Sequence, residues 1–264
     1  MTPNLMLLIT HISKTQAAYS RSVMPVSLRI DVDNPFGYSN LLKKALNRMS
    51  LDYDIVPRWS SIGYLNHVRE FLHYLNDKGI AATWFFRNIT APGPELLKDL
   101  KRPQYEMALH SERTRTHADF RSELREWETR FAMKPYGFSK HGSGEQKLSR
   151  MHAKEYDADM LIEYGSREKF EYFSGNGIDF RLPFENHGGL VYIPAPFWLD
   201  NPTLHKPNVS MNDVVEYSRN NPLVVLVHPI RWVVQEDVKR RLAFLLENVS
   251  FESLREQVSD FLSR

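Results

Sequence analysis

Along this chain, short continuous apolar runs take turns with stretches whose apolar residues recur at three and four, the pattern of strands alternating with helices. The first strong run, Leu28-Arg29-Ile30-Asp31-Val32-Asp33-Asn34-Pro35, is broken by two carboxylates and closed by a proline. It reads as a buried strand whose alternation turns Asp31 and Asp33 to one side and Ile30 and Val32 to the other. A helix over 38–49 follows, with Leu41, Leu42, Ala45 and Leu46 on one face and Ser39 or Asn40 as its cap. A second helix over 60–78 carries Ile62, Leu65, Val68, Phe71, Leu72 and Leu75, with Gly79 placed to end it. The run 80–86 has almost no polar residue, as expected of a strand covered on both faces.

The alternation continues with a helix over 94–100, a strand over 105–110, a helix over 119–133 and a strand over 136–140. Beyond Gly142 the pattern predicts a helix over 146–154 and strands over 160–164, 180–183 and 190–194, in a region whose glycines and prolines suggest elaborated loops. A helix over 212–219, a strand over 223–228 and closing helices over 236–248 and 251–262 complete the chain. Regular alternation of this kind argues for an α/β fold with parallel strands and crossover helices. No internal repeat or long linker divides it.

Composition adds bounds. At 264 residues the chain suits a single α/β barrel, and 42% apolar with 25% charged residues is near the globular average. Lys plus Arg outnumber Asp plus Glu by only two, which gives no argument for a nucleic-acid partner. The absence of cysteine excludes disulfides and thiolate metal sites, leaving His, Asp and Glu as candidate ligands. The N-terminal apolar run from Leu5 to Ile9 falls far short of the roughly 20 residues a spanning helix needs. It also lacks the positive flank of a secretory signal, so no integral membrane segment and a cytoplasmic location are expected. Residues 1–23 read as an N-terminal extension and 24–264 as one domain.

The candidate chemistry gathers at strand ends. Asp31 and Asp33 end the first strand, His110 ends another, His141 follows a third and His228 ends Leu-Val-Val-Leu-Val-His. In an α/β barrel the C-terminal strand ends form one face, which carries the active site, so residues distant in sequence converge there. Two acids on one strand face repel unless a cation or a shared proton relieves them. The plainer reading of the pair is solvated turn residues beside Asn34-Pro35, and that of any one histidine is a satisfied structural group. Two histidines and a carboxylate can hold a divalent metal, zinc being the expected ion, with an open position for water. A remaining carboxylate and histidine supply base and acid, an inventory suited to hydrolysis of an amide or ester.

These residues resemble the polysaccharide deacetylases of the NodB-like type over roughly 26–232. Asp31-Val32-Asp33 is similar to the family's first motif, Ala82-Thr83-Trp84-Phe85-Phe86 to its Ala-Thr-Phe-Phe strand, Glu106 to Ser111 to the start of its metal-binding histidine motif, and Leu226-Val227-His228-Pro229 to its last. The resemblance implies a distorted (β/α) barrel with about seven parallel strands and a metal-dependent N-deacetylase. The substrate implied is an acetamido sugar, nucleotide-linked, lipid-linked or polymeric, of surface-polysaccharide, O-antigen or lipopolysaccharide biosynthesis. It implies Asp31 as the base, Asp33 as a metal ligand and His228 as the acid that protonates the departing amine.

Two departures keep alternatives open. The family's second motif places two histidines one helical turn apart, whereas here the histidine after His110 is His117. On a continuous helix seven residues span about 10 Å, too far for both to reach one metal at about 2.1 Å. Either the intervening segment folds back, or His141 in His141-Gly142-Ser143-Gly144, or Glu112, takes the place. The Arg-x-Pro third motif is missing where expected, and Arg181-Leu182-Pro183 has its letters further on. Trp198, Asp200 and Trp232, with Arg181, are candidates to bind sugar, core packing being the plainer role for the tryptophans. The rival functions are a noncatalytic carbohydrate-binding barrel and a hydrolase of a non-sugar amide.

Overall fold

The computed structural model describes residues 24–37, 41–53, 56–142, 156–205 and 209–264. The expected extension 1–23 and the helix expected over 146–154 lie outside the described residues. In chain order the elements are β1 (Val26–Val32), α1 (Leu41–Tyr53), α2 (Asn66–Lys78), β2 (Ala82–Phe86), α3 (Pro94–Leu100), β3 (Tyr105–Ser111), α4 (His117–Phe131), β4 (Gly137–Lys140) and α5 (Ala158–Arg167). They continue with β5 (Tyr172–Ser174), β6 (Glu185–His187), β7 (Leu190–Ile193), β8 (Phe197–Trp198), α6 (Met211–Ser218), β9 (Leu223–Val227), α7 (Pro229–Val234), α8 (Glu236–Asn248), β10 (Phe251–Glu252) and α9 (Leu254–Leu262).

The strands form one sheet in the order β6-β7-β5-β4-β3-β2-β1-β9-β8, and among the described residues every ladder is parallel except β6 with β7. β10 pairs with the first two residues of β1, below the point where β2 takes over at Arg29. The curled, mostly parallel sheet with helices packed on it is the distorted (β/α) barrel expected.

Strand alternation divides the core into two layers. Val26, Leu28, Ile30 and Val32 of β1 share the outer layer with Trp84, Leu109, Phe138 and the apolar faces of the helices. The opposite faces supply the inner layer, with Phe85, Ala108, Tyr172, Val191, Ile193 and Val224, and α9 closes its floor with Leu254 and Val258. Ser27, Arg29 and Asp31 are on the inner side of β1 and almost wholly buried. The sidedness expected of β1 is therefore present, and it places a charged stripe in the barrel.

Four elements differ from expectation. Residues 160–164 belong to the helix α5: Asp157 caps it by accepting from the Met160 N–H, and Leu161, Tyr164 and Gly165 are buried at helical spacing. The Met-Leu-Ile run looked like a strand because a short apolar run does not reveal its period. Residues 180–183 form no strand but a turn, in which the Asp179 carboxylate accepts the Arg181 N–H. The helix expected over 60–78 opens as a separate 3-10 turn, Ser60–Ile62, and is reset at Gly63 (φ +87°) and Leu65 before α2 begins; Gly79 (φ +65°) ends α2 as expected. The last helix starts three residues late because Ser253 caps it, accepting from the Glu256 N–H, while Phe251 and Glu252 pair with β1.

Candidate active site

β3 and β4 are neighbours and β1 lies one strand further on, across β2, and the C-terminal ends of the three bring three donors together. Asp33 Oδ1 lies 3.1 Å from His110 Nε2 and 3.2 Å from His141 Nδ1, and the two ring nitrogens are 3.1 Å apart. Among the described residues this trio is the one group of His, Asp and Glu side chains whose ligand atoms converge closely enough to hold an ion. The donor set fits a divalent metal: with bonds of about 2.0–2.1 Å, two ligands of a tetrahedral ion are roughly 3.3 Å apart. His110 Nδ1 meets Ser139 Oγ at 2.6 Å. With the ring proton donated there, Nε2 presents its lone pair to Asp33 and His141.

Asp31 flanks the trio, its Oδ2 being 3.6 Å from His110 Nε2. Sequence reasoning missed what holds it. Arg29, two residues earlier on the same strand face, donates from Nε to Asp31 Oδ1 at 2.9 Å and from Nη2 to Oδ2 at 2.7 Å. The same guanidinium donates to the Ser174 hydroxyl, the Gly175 carbonyl and the Asn176 side chain, so all its directions are used. Arg-x-Asp-x-Asp on one strand was the available signal, since period two puts all three charges on one side. Burial pushes the Asp31 carboxyl up, but Arg29 and the neighbouring histidines outweigh it and hold the group below its ordinary value. Asp33 is likewise pushed up by burial and brought well below the carboxylate range by His141 and His228. Burial lowers His141 to about 4, so its ring is neutral and available as a ligand near pH 7.

On the far side His228, just past β9, has Nε2 3.3 Å from Asp33 Oδ2 and Nδ1 2.6 Å from Asp200 Oδ2. Asp200 also accepts the His228 backbone N–H at 3.0 Å. Burial works against the charged ring, but Asp200 and Asp33 prevail and raise it well above the ordinary histidine value. Asp200 thus orients the imidazole rather than standing free in a cleft. Trp198 is half-buried, its ring 6.2 Å from His228 and its Nε1–H donated to the Gly177 carbonyl.

The other candidates are elsewhere. His117 starts α4, where Nε2 lies 2.8 Å from Glu168 Oε1, a close contact whose angle is wrong for a hydrogen bond. Glu112 is engaged by Arg87. Trp232 is buried between helices against Phe71 and Tyr74, with ring centroids 4.8 and 4.9 Å away. Arg181 is exposed, its guanidinium over the Phe180 ring.

No protein-family model matches the sequence, and no curated protein is detectably related to it. Solved structures do match. A protein from Mycobacterium smegmatis described as a polysaccharide deacetylase superposes with a TM-score of 0.58 at 16% identity, over 93% of this chain and 92% of its own. A second, from Bordetella bronchiseptica and described as involved in O-antigen biosynthesis, gives 0.47 at 16% identity over 90% of both chains. At such identities the likeness is one of fold. What this chain shares with the first of them is the distorted barrel of the polysaccharide deacetylases.

Proposed function

We propose that the protein is a metal-dependent hydrolase that removes the acetyl group from an acetamido sugar. The observation that carries this reading is the convergence of Asp33, His110 and His141 with a charged carboxylate, Asp31, on one side and a protonated imidazole, His228, on the other. Asp33, His110 and His141 would hold the ion, with zinc the best match to two imidazoles and a carboxylate. When bound, such an ion polarises the acetyl carbonyl and makes water more acidic.

The protein's own groups then move the protons. Asp31, kept ionised by the Arg29 fork, accepts a proton from the attacking water. His228, kept protonated by Asp200, donates from Nε2 to the departing amine as the carbon–nitrogen bond breaks. The products are acetate and the free amino sugar. Trp198, half-buried beside His228, supplies an apolar wall for the sugar or its acetyl group. The motif resemblance points to a sugar of surface-polysaccharide or lipopolysaccharide biosynthesis.

The test is acetate release from acetamido sugars together with zinc analysis. Asp31→Asn should lower turnover by about 10²–10⁴-fold and retain zinc, whereas His110→Ala should lose the metal. Full activity in Asp31→Asn would sink the assignment of the base. Sugar binding without acetate release by the native, zinc-loaded protein would favour a noncatalytic barrel.

A further inference from the structure

Arg87, just past the end of β2, touches none of the three converging donors by its side chain, yet it connects the chain segments that carry them. It is almost fully buried. Its Nη1 donates to the Asp33 carbonyl at 2.5 Å, while Nε, at 2.6 Å, and Nη2 both donate to Glu112 Oε2. Glu112 follows Ser111, whose carbonyl accepts the His141 N–H at 2.6 Å, and lies two residues beyond His110. The Arg87 backbone N–H is held by Thr90 Oγ1, and that hydroxyl donates to the Val32 carbonyl at 2.8 Å. The Ser111–Arg113 end of the strut is fixed in turn by Glu123, which accepts from the Ser111 hydroxyl and from the Glu112 and Arg113 N–H groups.

A carboxylate in the interior beside a metal trio could itself be read as a ligand. The fork geometry gives Glu112 a different task, because Arg87 meets one carboxylate oxygen with two N–H groups and spends its remaining arm on the backbone of Asp33. A lysine could neutralise Glu112 but, as a point charge, could not bridge both partners in a fixed plane.

We propose that the Arg87–Glu112 pair is a positioning strut that sets the spacing of Asp33, His110 and His141 and so the affinity of the site for zinc. The inference rests on the metal-site reading above, and groups that orient metal ligands commonly change affinity by about 10–100-fold when removed.

The experiment is a zinc titration against a chromophoric chelator, paired with thermal unfolding of the metal-free protein. The decisive variant is Arg87→Met with Glu112→Met, since replacing both members of a buried ion pair by apolar side chains commonly leaves folding intact. Unfolding of this metal-free double variant should match the native protein, while zinc binds about 10–100-fold more weakly. A double variant that folds and binds zinc within twofold of native overturns the proposal. Arg87→Lys, which keeps a charge against Glu112, decides the matter if the double variant does not fold: zinc binding should weaken, and native affinity in Arg87→Lys would also overturn the strut. Asp33→Asn and His110→Ala, titrated in parallel, separate the two levels. Native zinc affinity in these variants removes the metal site itself, whereas loss there with native binding in the Arg87 variants removes only the strut.

Discussion

The mouth and the floor of the barrel bury carboxylates on the same inner surface, yet hold them in opposite states. At the mouth, Asp31 accepts two N–H groups from Arg29, and Asp33 is surrounded by three histidines; both are held below the ordinary carboxylate range against the cost of burial. At the floor, Glu106 is on β3, four residues before His110 and on the same strand face. It accepts from Tyr172 Oη at 2.7 Å, Thr83 Oγ1 at 2.9 Å and the Arg255 N–H at 3.1 Å. Those donors are neutral, and the Arg255 guanidinium turns to Glu171 instead. Burial therefore dominates and pushes the Glu106 carboxyl up to about 7. Depth in the barrel does not separate the two ends; the charge of the hydrogen-bond donor does.

The largest test of this contrast removes the mouth's fixed cation. Arg29→Met leaves Asp31 buried without its fork, and breaking one side of a buried pair typically costs about 3–5 kcal/mol. Urea unfolding at pH 7 should show a loss of that size. The loss should shrink in acid, where the stranded Asp31 takes up a proton and stops being a buried charge. A stability change below about 1 kcal/mol at pH 7 would mean that Arg29 is not what keeps Asp31 ionised.

A smaller effect is expected at the floor. Glu106 rises from 4.5 to about 7 on folding, so the folded state binds its proton more tightly than the unfolded chain. Its contribution is fully present below pH 4.5 and is lost as pH rises through about 7. At 1.36 kcal/mol per pKa unit this amounts to about 3 kcal/mol. Glu106→Gln is neutral throughout, so the variant should gain on the native protein by about that amount between pH 4 and pH 8. Parallel stability curves for the two proteins across this range would show that the floor carboxylate is not held near neutrality, and the contrast with the mouth would fail.

The contrast also explains which parts could be read from the sequence. β2 and β9 are nearly continuous apolar runs, and β1 and β3 keep apolar residues at every second position, as expected of covered strands, so the barrel and the strand-end positions of Asp33, His110 and His228 were legible. Asp31 and Asp33 were visible as a pair, but their cation was sought in a bound ion alone, although Arg29 stood two residues away on the same face. Short elements were not legible: β5 and β8 have three and two residues, too few to display a period. Asp200 was expected to meet sugar, and its bond to His228 depends on β8 and β9 lying side by side, which local spacing cannot express. The choice among His141, His117 and Glu112 was open for the same reason. It turns on where β4 lies relative to β3, with His110 opposite Ser139 in the register.

The smallest expected effect probes an environment unlike either end. His117 and Glu168 face each other with side chains 24% and 15% exposed, away from the inner layer, and the His117 ring also packs on Tyr164 at 5.2 Å. His117 Nε2 is itself shielded from water but forms no hydrogen bond to Glu168, and the two side chains remain partly exposed, so the contact is comparable to surface pairs, which contribute about 0–1 kcal/mol. His117→Ala should therefore cost no more than about 1 kcal/mol in unfolding and leave zinc affinity within about twofold, because ligands and the groups that orient them are what shift affinity by about 10-fold or more. The same substitution at His141 should abolish tight zinc binding. If instead His117→Ala weakened zinc as much as His141→Ala, the third ligand would have to come from the start of α4, and His141 would become a buried neutral histidine beside the site. Comparing the two alanine variants by one chelator titration thus tests whether β4, rather than the segment between β3 and α4, completes the charged mouth of the barrel.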